Sequence, residues 1–207
     1  MVPFNAVADR LYRVVRLTAK ELGKKANLDI RGGQVELDRS VLEKMIGPIE
    51  HLLRNAITHG LEDVAQRQAA GKPEIGEIAL TLSQEGNEVV IDMTDDGAGL
   101  NFERIRSKAI EQGLLASDQY PDEVVLTDFI FHAGFSTARE LSEIAGRGVG
   151  MDVVKSETAQ LGGRIAVSST PGRGARFRIY LPLTLTVAQA LLVLPVVAVL
   201  TRQFVVD

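Results

Sequence analysis

The chain reads as an α+β protein: a two-layer α/β sandwich with helices packed on one face of a mostly antiparallel mixed sheet. Three observations carry that expectation. Ile78, Leu80 and Leu82, then Val89, Ile91 and Met93, alternate with polar residues around Glu85-Gly86-Asn87, the pattern of a half-buried β-hairpin. Leu42, Met45, Ile46, Ile49, Leu52, Leu53, Ala56 and Ile57 form one apolar stripe at helical spacing. Two more alternating runs, Arg164 to Ser169 and Arg176 to Leu181, follow a helical stretch, so helices and antiparallel strands would fall into separate layers.

The remaining elements follow in order. Phe4 to Leu22 carries Val7, Leu11, Val14, Val15 and Leu22 at helical spacing, with Gly23 as its stop. Leu28 to Leu37, interrupted by Gly32-Gly33, suggests a strand and a turn. The long helix opens on Ser40 and Glu43 at capping-box spacing, and Gly47-Pro48 inside it predicts a kink or a break. The hairpin ends at Asp95. Helices are expected over Phe102 to Gln112, Glu123 to Phe131 and Met151 to Leu161, the last stopped by Gly162-Gly163, and Thr137 to Ala145 also looks helical. Thr170 to Gly174 turns between the two final strands. From Leu183 to Val206 the chain becomes almost continuously apolar and β-prone, like the opening strands of a further domain.

Composition narrows the function classes. With 207 residues there is enough chain for one well-buried core, and 45% apolar with 24% charged residues describes an ordinary globular protein. A net charge of −4 argues against nucleic acid as the main partner. There is no cysteine, hence no disulfide framework, and the 3 histidines (His51, His59, His132) are too scattered for a zinc site. Asp9, Arg10, Arg13 and Arg16 follow too early for a signal peptide. Val187 to Leu200 contains Gln189 and Pro195 and falls short of the roughly 20 residues a membrane helix needs. A cytoplasmic protein without membrane insertion is expected.

The polar residues of interest fall in three places. His51, Asn55 and His59 are four residues apart and follow one helix edge. A solvated polar edge is the plain reading, but an asparagine amide oxygen is also a hard ligand suited to Mg²⁺ carrying triphosphate oxygens. Asp95 ends a strand before Gly97 and Gly99. That is either a common Asp-Gly turn or a carboxylate placed to accept from an exocyclic amine such as adenine N6, with glycines letting the base approach. Gly146, Gly148 and Gly150 precede the Met151 helix, an arrangement that attracts phosphate. No G-x-x-x-x-G-K-[ST] occurs, and the glycine spacing and context do not fit a dinucleotide fingerprint. Phe131 to Thr137, aromatic and containing Ser136, is a candidate lid or else a packed loop.

Asn55 on a helix, Asp95-x-Gly97-x-Gly99, Gly134-Phe-Ser-Thr137 and Gly146-Arg-Gly-Val-Gly-Met-Asp152, in this order, resemble the ATP-binding domain of histidine kinases, nearest the CheA-type chemotaxis kinases. The resemblance implies the Bergerat fold shared with gyrase, Hsp90 and MutL over residues 26–182. It further implies a helical lead-in from a dimerisation domain over 1–25 and the start of a CheW-like regulatory domain over 183–207. It assigns Mg²⁺ to Asn55, adenine to Asp95 with Gly97 and Gly99, and phosphates to Lys108, Arg104, His59, Ser136, Gly146, Gly148 and Gly150. His51 stands where gyrase-like ATPases carry a water-activating glutamate, as a base or a phosphate contact.

The implied activity is transfer of the γ-phosphoryl of Mg·ATP to a histidine on a separate phosphotransfer domain of the same or a partner chain. A CheW-like adaptor, a chemoreceptor and a response regulator are the implied partners. Competing readings are an ATPase coupled to conformational change, which position 51 as histidine disfavours, and a nucleotide-binding adaptor. Against the family pattern, Arg104 replaces a frequent lysine, Ala133 a frequent proline before the lid and Ala175 a usual threonine.

Overall fold

The computed structural model describes residues 1–135 and 150–183. A five-stranded sheet has the order β2-β4-β5-β7-β6, built from Ala26–Arg31 (β2), Gly76–Glu85 (β4), Glu88–Asp95 (β5), Arg164–Thr170 (β6) and Gly174–Pro182 (β7). β2 runs parallel to β4, and the other three pairings are antiparallel. A two-stranded antiparallel pair joins Val2–Pro3 (β1) to Glu36–Leu37 (β3). The helices are Ala8–Glu21 (α1), Arg39–Asn55 (α2), Val64–Ala69 (α3), Phe102–Glu111 (α4), Glu123–Phe129 (α5) and Met151–Gln160 (α6). The mixed sheet and helical layer match the fold class expected from the alternation.

Strand register explains why one face is apolar. Leu28 and Ile30 align with Ile78 and Leu80; Ile78, Leu80 and Leu82 align in turn with Asp95, Met93 and Ile91, and the last two with Phe177 and Ile179. With a side-chain period of two, these rows fall on the same face. They join Leu11, Val15, Met45, Ile49, Leu53, Ile105 and Val154 from the helices in one core. Each such fully buried side chain is worth roughly 1.5–3 kcal/mol. Asp95, at the end of β5, continues the inward row Val89, Ile91, Met93.

Several local expectations change. The first helix begins as a 3₁₀ turn, Phe4–Val7. α2 is capped by Asp38, whose carboxylate accepts from the Ser40 amide at 2.8 Å, so Ser40 lies inside the first turn and does not make the capping box expected with Glu43. A capping box does form further on, between Asp63 and Gln66 at the start of α3, a helix too short to announce itself by periodicity. α2 continues through Gly47-Pro48 without a break. Pro48 is buried in the core, and Lys44, whose carbonyl loses its helical partner, is on the exposed side. No helix among the described residues is long and apolar enough to cross a membrane. The expected helix over Thr137 to Ala145 and the apolar tail from Thr184 lie outside the described residues.

Candidate functional site

Asp95 is the anchor. It is 7% exposed. Its Oδ1 accepts from the Gly97 amide at 2.9 Å, and the Ala175 amide lies near enough to favour the charged carboxylate. Oδ2 is buried and has no partner among the described residues. Burial pushes this carboxyl above the usual range against the pull of those two amides. A buried carboxylate oxygen without a donor is costly, so its presence points to a donor supplied from outside.

The backbone around Asp95 is drawn tight by glycines. A Cβ on Gly97 would stand 2.1 Å from the Gly60 carbonyl oxygen, and the Ala98 amide donates to that same oxygen at 2.8 Å. Gly174, in the left-handed region at φ +97, would drive a Cβ to 1.8 Å from the Asp95 carbonyl oxygen. Ser169 Oγ accepts from Leu100 N at 2.8 Å and donates to Gly174 O at 3.0 Å, and a side chain at Gly99 would strike Ser169. The Gly172 amide closes on Ala98 O at 2.8 Å. The Asp95–Leu100 loop is therefore gripped by the β6–β7 turn on one side and by the residues after α2 on the other.

Those residues form a widened turn. Ala56–Gly60 is π-helical, closed by Leu61 N donating to Ala56 O at 2.7 Å. Such insertions are frequent at functional sites. His59 sits in this turn, off the continuing α-helical row that even four-residue spacing suggests. Upstream, Asn55 Nδ2 lies 3.0 Å from His51 Nε2 and 3.5 Å from Met151 Sδ. Burial, then His59 and Arg54, lower the His51 pKa from its ordinary 6.5 against an opposing effect of Asp152. His59 is exposed, and partial desolvation, then Lys24 and Arg104, lower its pKa. The lowered pKa favours the neutral ring in both. His51 Nε2 then accepts from the Asn55 amide, and Asn55 Oδ1 accepts nothing from the described residues.

The other expected residues are placed as follows. Arg104, in the first turn of α4, is near enough to act electrostatically on His59. Lys108 makes an ion pair with Glu111 at 3.8 Å along its own helix. Gly150 is the N-cap of α6, its carbonyl accepting from Val153 N at 3.1 Å, and the next residue is the Met151 that touches Asn55. Ser136, Gly146 and Gly148 lie outside the described residues. Among the described residues no group of three His, Cys, Asp or Glu side chains gathers as a metal site, so a cation here would rest on Asn55 and on oxygens of its ligand.

Sequence reading missed the support beneath the loop. Arg67 is fully buried, pairing with Asp96 at 2.7 Å and Glu62 at 3.1 Å and donating to Pro73 O at 2.6 Å. Lys72 donates to Glu62 at 2.5 Å and to the carbonyls of Asp96 and Gly97 at 2.8 Å each. Nothing in the local pattern marks these cations, because the partners that tie them to the Asp95 loop, Asp96 and Gly97, lie 24 to 29 positions along the chain.

Residues 46–185 match the family model described as histidine kinase-, DNA gyrase B-, and HSP90-like ATPase. A protein of Rhizobium meliloti named chemotaxis protein CheA is 45% identical over 205 residues, covering 95% of this chain and 27% of its own length. A Klebsiella aerogenes protein of the same name is 46% identical over 187 residues, covering 90% of this chain and 28% of its own. The chain thus spans little more than a quarter of these relatives. The histidine kinase domain from Erythrobacter litoralis EL346 blue-light activated histidine kinase shares the fold, with a TM-score of 0.52 at 15% identity over 88% of this chain and 66% of that one.

Proposed function

Because the chain belongs to the histidine kinase-, DNA gyrase B- and HSP90-like ATPase family, we propose that it is the ATP-binding core of a CheA-type chemotaxis kinase that phosphorylates a histidine on a separate phosphotransfer domain. The observation that carries this reading is the orphaned Oδ2 of buried Asp95, in a loop that close backbone packing at Gly97 and Gly174 holds in place. An adenine amino group is a donor of the right kind for it.

Mg·ATP fits the donor set, and when bound supplies the phosphoryl group together with the cation that neutralises its oxygens. Asp95 would hold the base. His51, neutral and accepting from Nδ2, would turn Asn55 Oδ1 toward the cation. Arg104, Lys108 and His59, with Ser136 and the amides near Gly146, Gly148 and Gly150, would hold the phosphates. A histidine at position 51 in place of a carboxylate suits transfer to an imidazole better than water activation. The histidine acceptor would come from the phosphotransfer domain of the same or a partner chain. A CheW-like adaptor, a chemoreceptor and a response regulator are the further partners this reading assigns, with residues from 183 on leading into the coupling domain.

Calorimetric titration with a non-hydrolysable ATP analogue and Mg²⁺ tests the first half of the reading. Binding is expected, and Asn55→Ala and Asp95→Asn are each expected to weaken it. No binding by the unsubstituted chain sinks the reading. For the second half, labelled phosphate should appear on an added phosphotransfer domain and nowhere else. Label on this chain itself, or steady phosphate release without acceptor, would overturn the transfer mechanism.

A further inference from the structure

Lys24 stands just beyond α1, after Gly23 at φ +62, and its backbone amide is pinned to Ala19 O at 2.9 Å, so it moves with that helix. Its ammonium reaches across to the turn after α2 and donates to three carbonyls there: Ile57 at 2.7 Å, Thr58 at 2.9 Å and Leu61 at 2.7 Å. The last carbonyls of a helix have no partner within it and carry the negative end of its dipole. One ammonium with three donors satisfies three of them at once. Burial lowers the Lys24 pKa, and the carboxylates of Asp63 and Glu62 oppose that loss of charge.

The clamped turn is the one that shapes the site. Gly60, between the carbonyls of Thr58 and Leu61, accepts from Ala98 N at 2.8 Å and lies so close to Asp95 that an added Cβ would be 3.2 Å from its Oδ1. Leu61 N closes the turn directly behind Asn55 by bonding Ala56 O at 2.7 Å. We infer that Lys24 is a positioning residue for the nucleotide site: by locking the π-turn it holds Gly60 against the Asp95 loop, and it makes the site depend on the seat of α1. The role of the site in binding ATP rests on the preceding proposal, whereas the clamp itself rests on the hydrogen bonds.

Two measurements on the full chain test the clamp, at a temperature where circular dichroism shows Lys24→Met and Lys24→Arg folded. In the absence of nucleotide, the Ala98 amide, which Lys24 does not touch, should exchange about tenfold faster in Lys24→Met, while amides of β5 and β7 keep their rates. Affinity for the Mg²⁺-bound ATP analogue should fall about tenfold in Lys24→Met, and Lys24→Arg, which keeps charge and donors, should recover most of it. Unchanged Ala98 exchange overturns the inference. So does exchange that rises uniformly across the sheet, since that is the mark of general destabilisation. If the wild-type chain fails to bind the analogue while Lys24→Met still loosens Ala98, the ATP reading fails and the clamp stands.

Discussion

At the scale of single residues, the buried carboxylate of Asp95 weakens the free protein. Its pKa is raised by burial, so any stability it contributes is present below its ordinary 3.8 and is lost as pH rises through the raised value. At pH 7 the ionised group opposes folding. Asp95→Asn cannot ionise, so the unliganded variant should melt about 2–4 °C higher at pH 7, with the gap closing near pH 4. The same variant should bind the ATP analogue about 10- to 100-fold more weakly. Thermal scans at both pH values and calorimetry check the pair. A lower melting temperature at pH 7 would show that the carboxylate is better compensated than its geometry implies.

His51 behaves in the opposite sense. Its pKa is lowered, so its contribution is present above the ordinary 6.5 and is lost as pH falls through the depressed value, when Nε2 gains a proton and stops accepting from Asn55. Affinity for the Mg²⁺-bound analogue should be flat from pH 8 to 7 and should decline on the acid side. Gln at position 51 can accept without titrating, so His51→Gln should flatten that decline. An acid limb unchanged in His51→Gln would assign it to His59.

At the scale of elements, the least legible piece is the one that supports the site. α3 spans Val64–Ala69, too short for a period of 3.6 to register, and it is held by its Asp63–Gln66 capping box and by buried Arg67. Replacing one partner of a buried ion pair leaves the others uncompensated. Arg67→Met, which abandons Glu62 and Asp96, should therefore cost about 3–5 kcal/mol in denaturant unfolding. A loss below about 1 kcal/mol would mean that water replaces the guanidinium. By contrast β4, β5 and β7 were legible from alternation alone, since each buries one face. The capping box expected at Ser40 misplaced the cap by two residues, because Asp38 offers the same side-chain acceptor earlier.

At the scale of the whole molecule, α1 shares the core of the nucleotide-binding unit. Phe4, Leu11, Val15 and Ala19 are buried in the same cluster as Ile49, Leu53 and the sheet. Removing residues 1–22 uncovers that face, at roughly 1.5–3 kcal/mol for each large side chain, and should leave a chain that neither melts cooperatively nor binds nucleotide. Removing residues 184–207 should preserve both, because all five described strands of the sheet lie within residues 26–182 and Leu183 N already bonds Asn87 O at 2.9 Å. Circular-dichroism melts and analogue titration of the two truncations check this. Loss of binding on the second would move the boundary proposed at 183.

What the sequence by itself determined is whatever has a short period or a fixed local chemistry. The alternating strands, the apolar stripe of α2, the Gly23 stop, and the singling out of Asn55, Asp95 and His51 all follow from neighbours within a few residues. Only the tertiary structure decided that β2 runs parallel to β4 at an edge. It alone brought Gly60 and Gly174 against Asp95, widened α2 into a π-turn, and sent Lys24, Arg67 and Lys72 to carbonyls and carboxylates elsewhere in the chain. A charged side chain on a polar helix face has the same local pattern whether it meets water or a distant backbone oxygen. Packing alone supplies the partner.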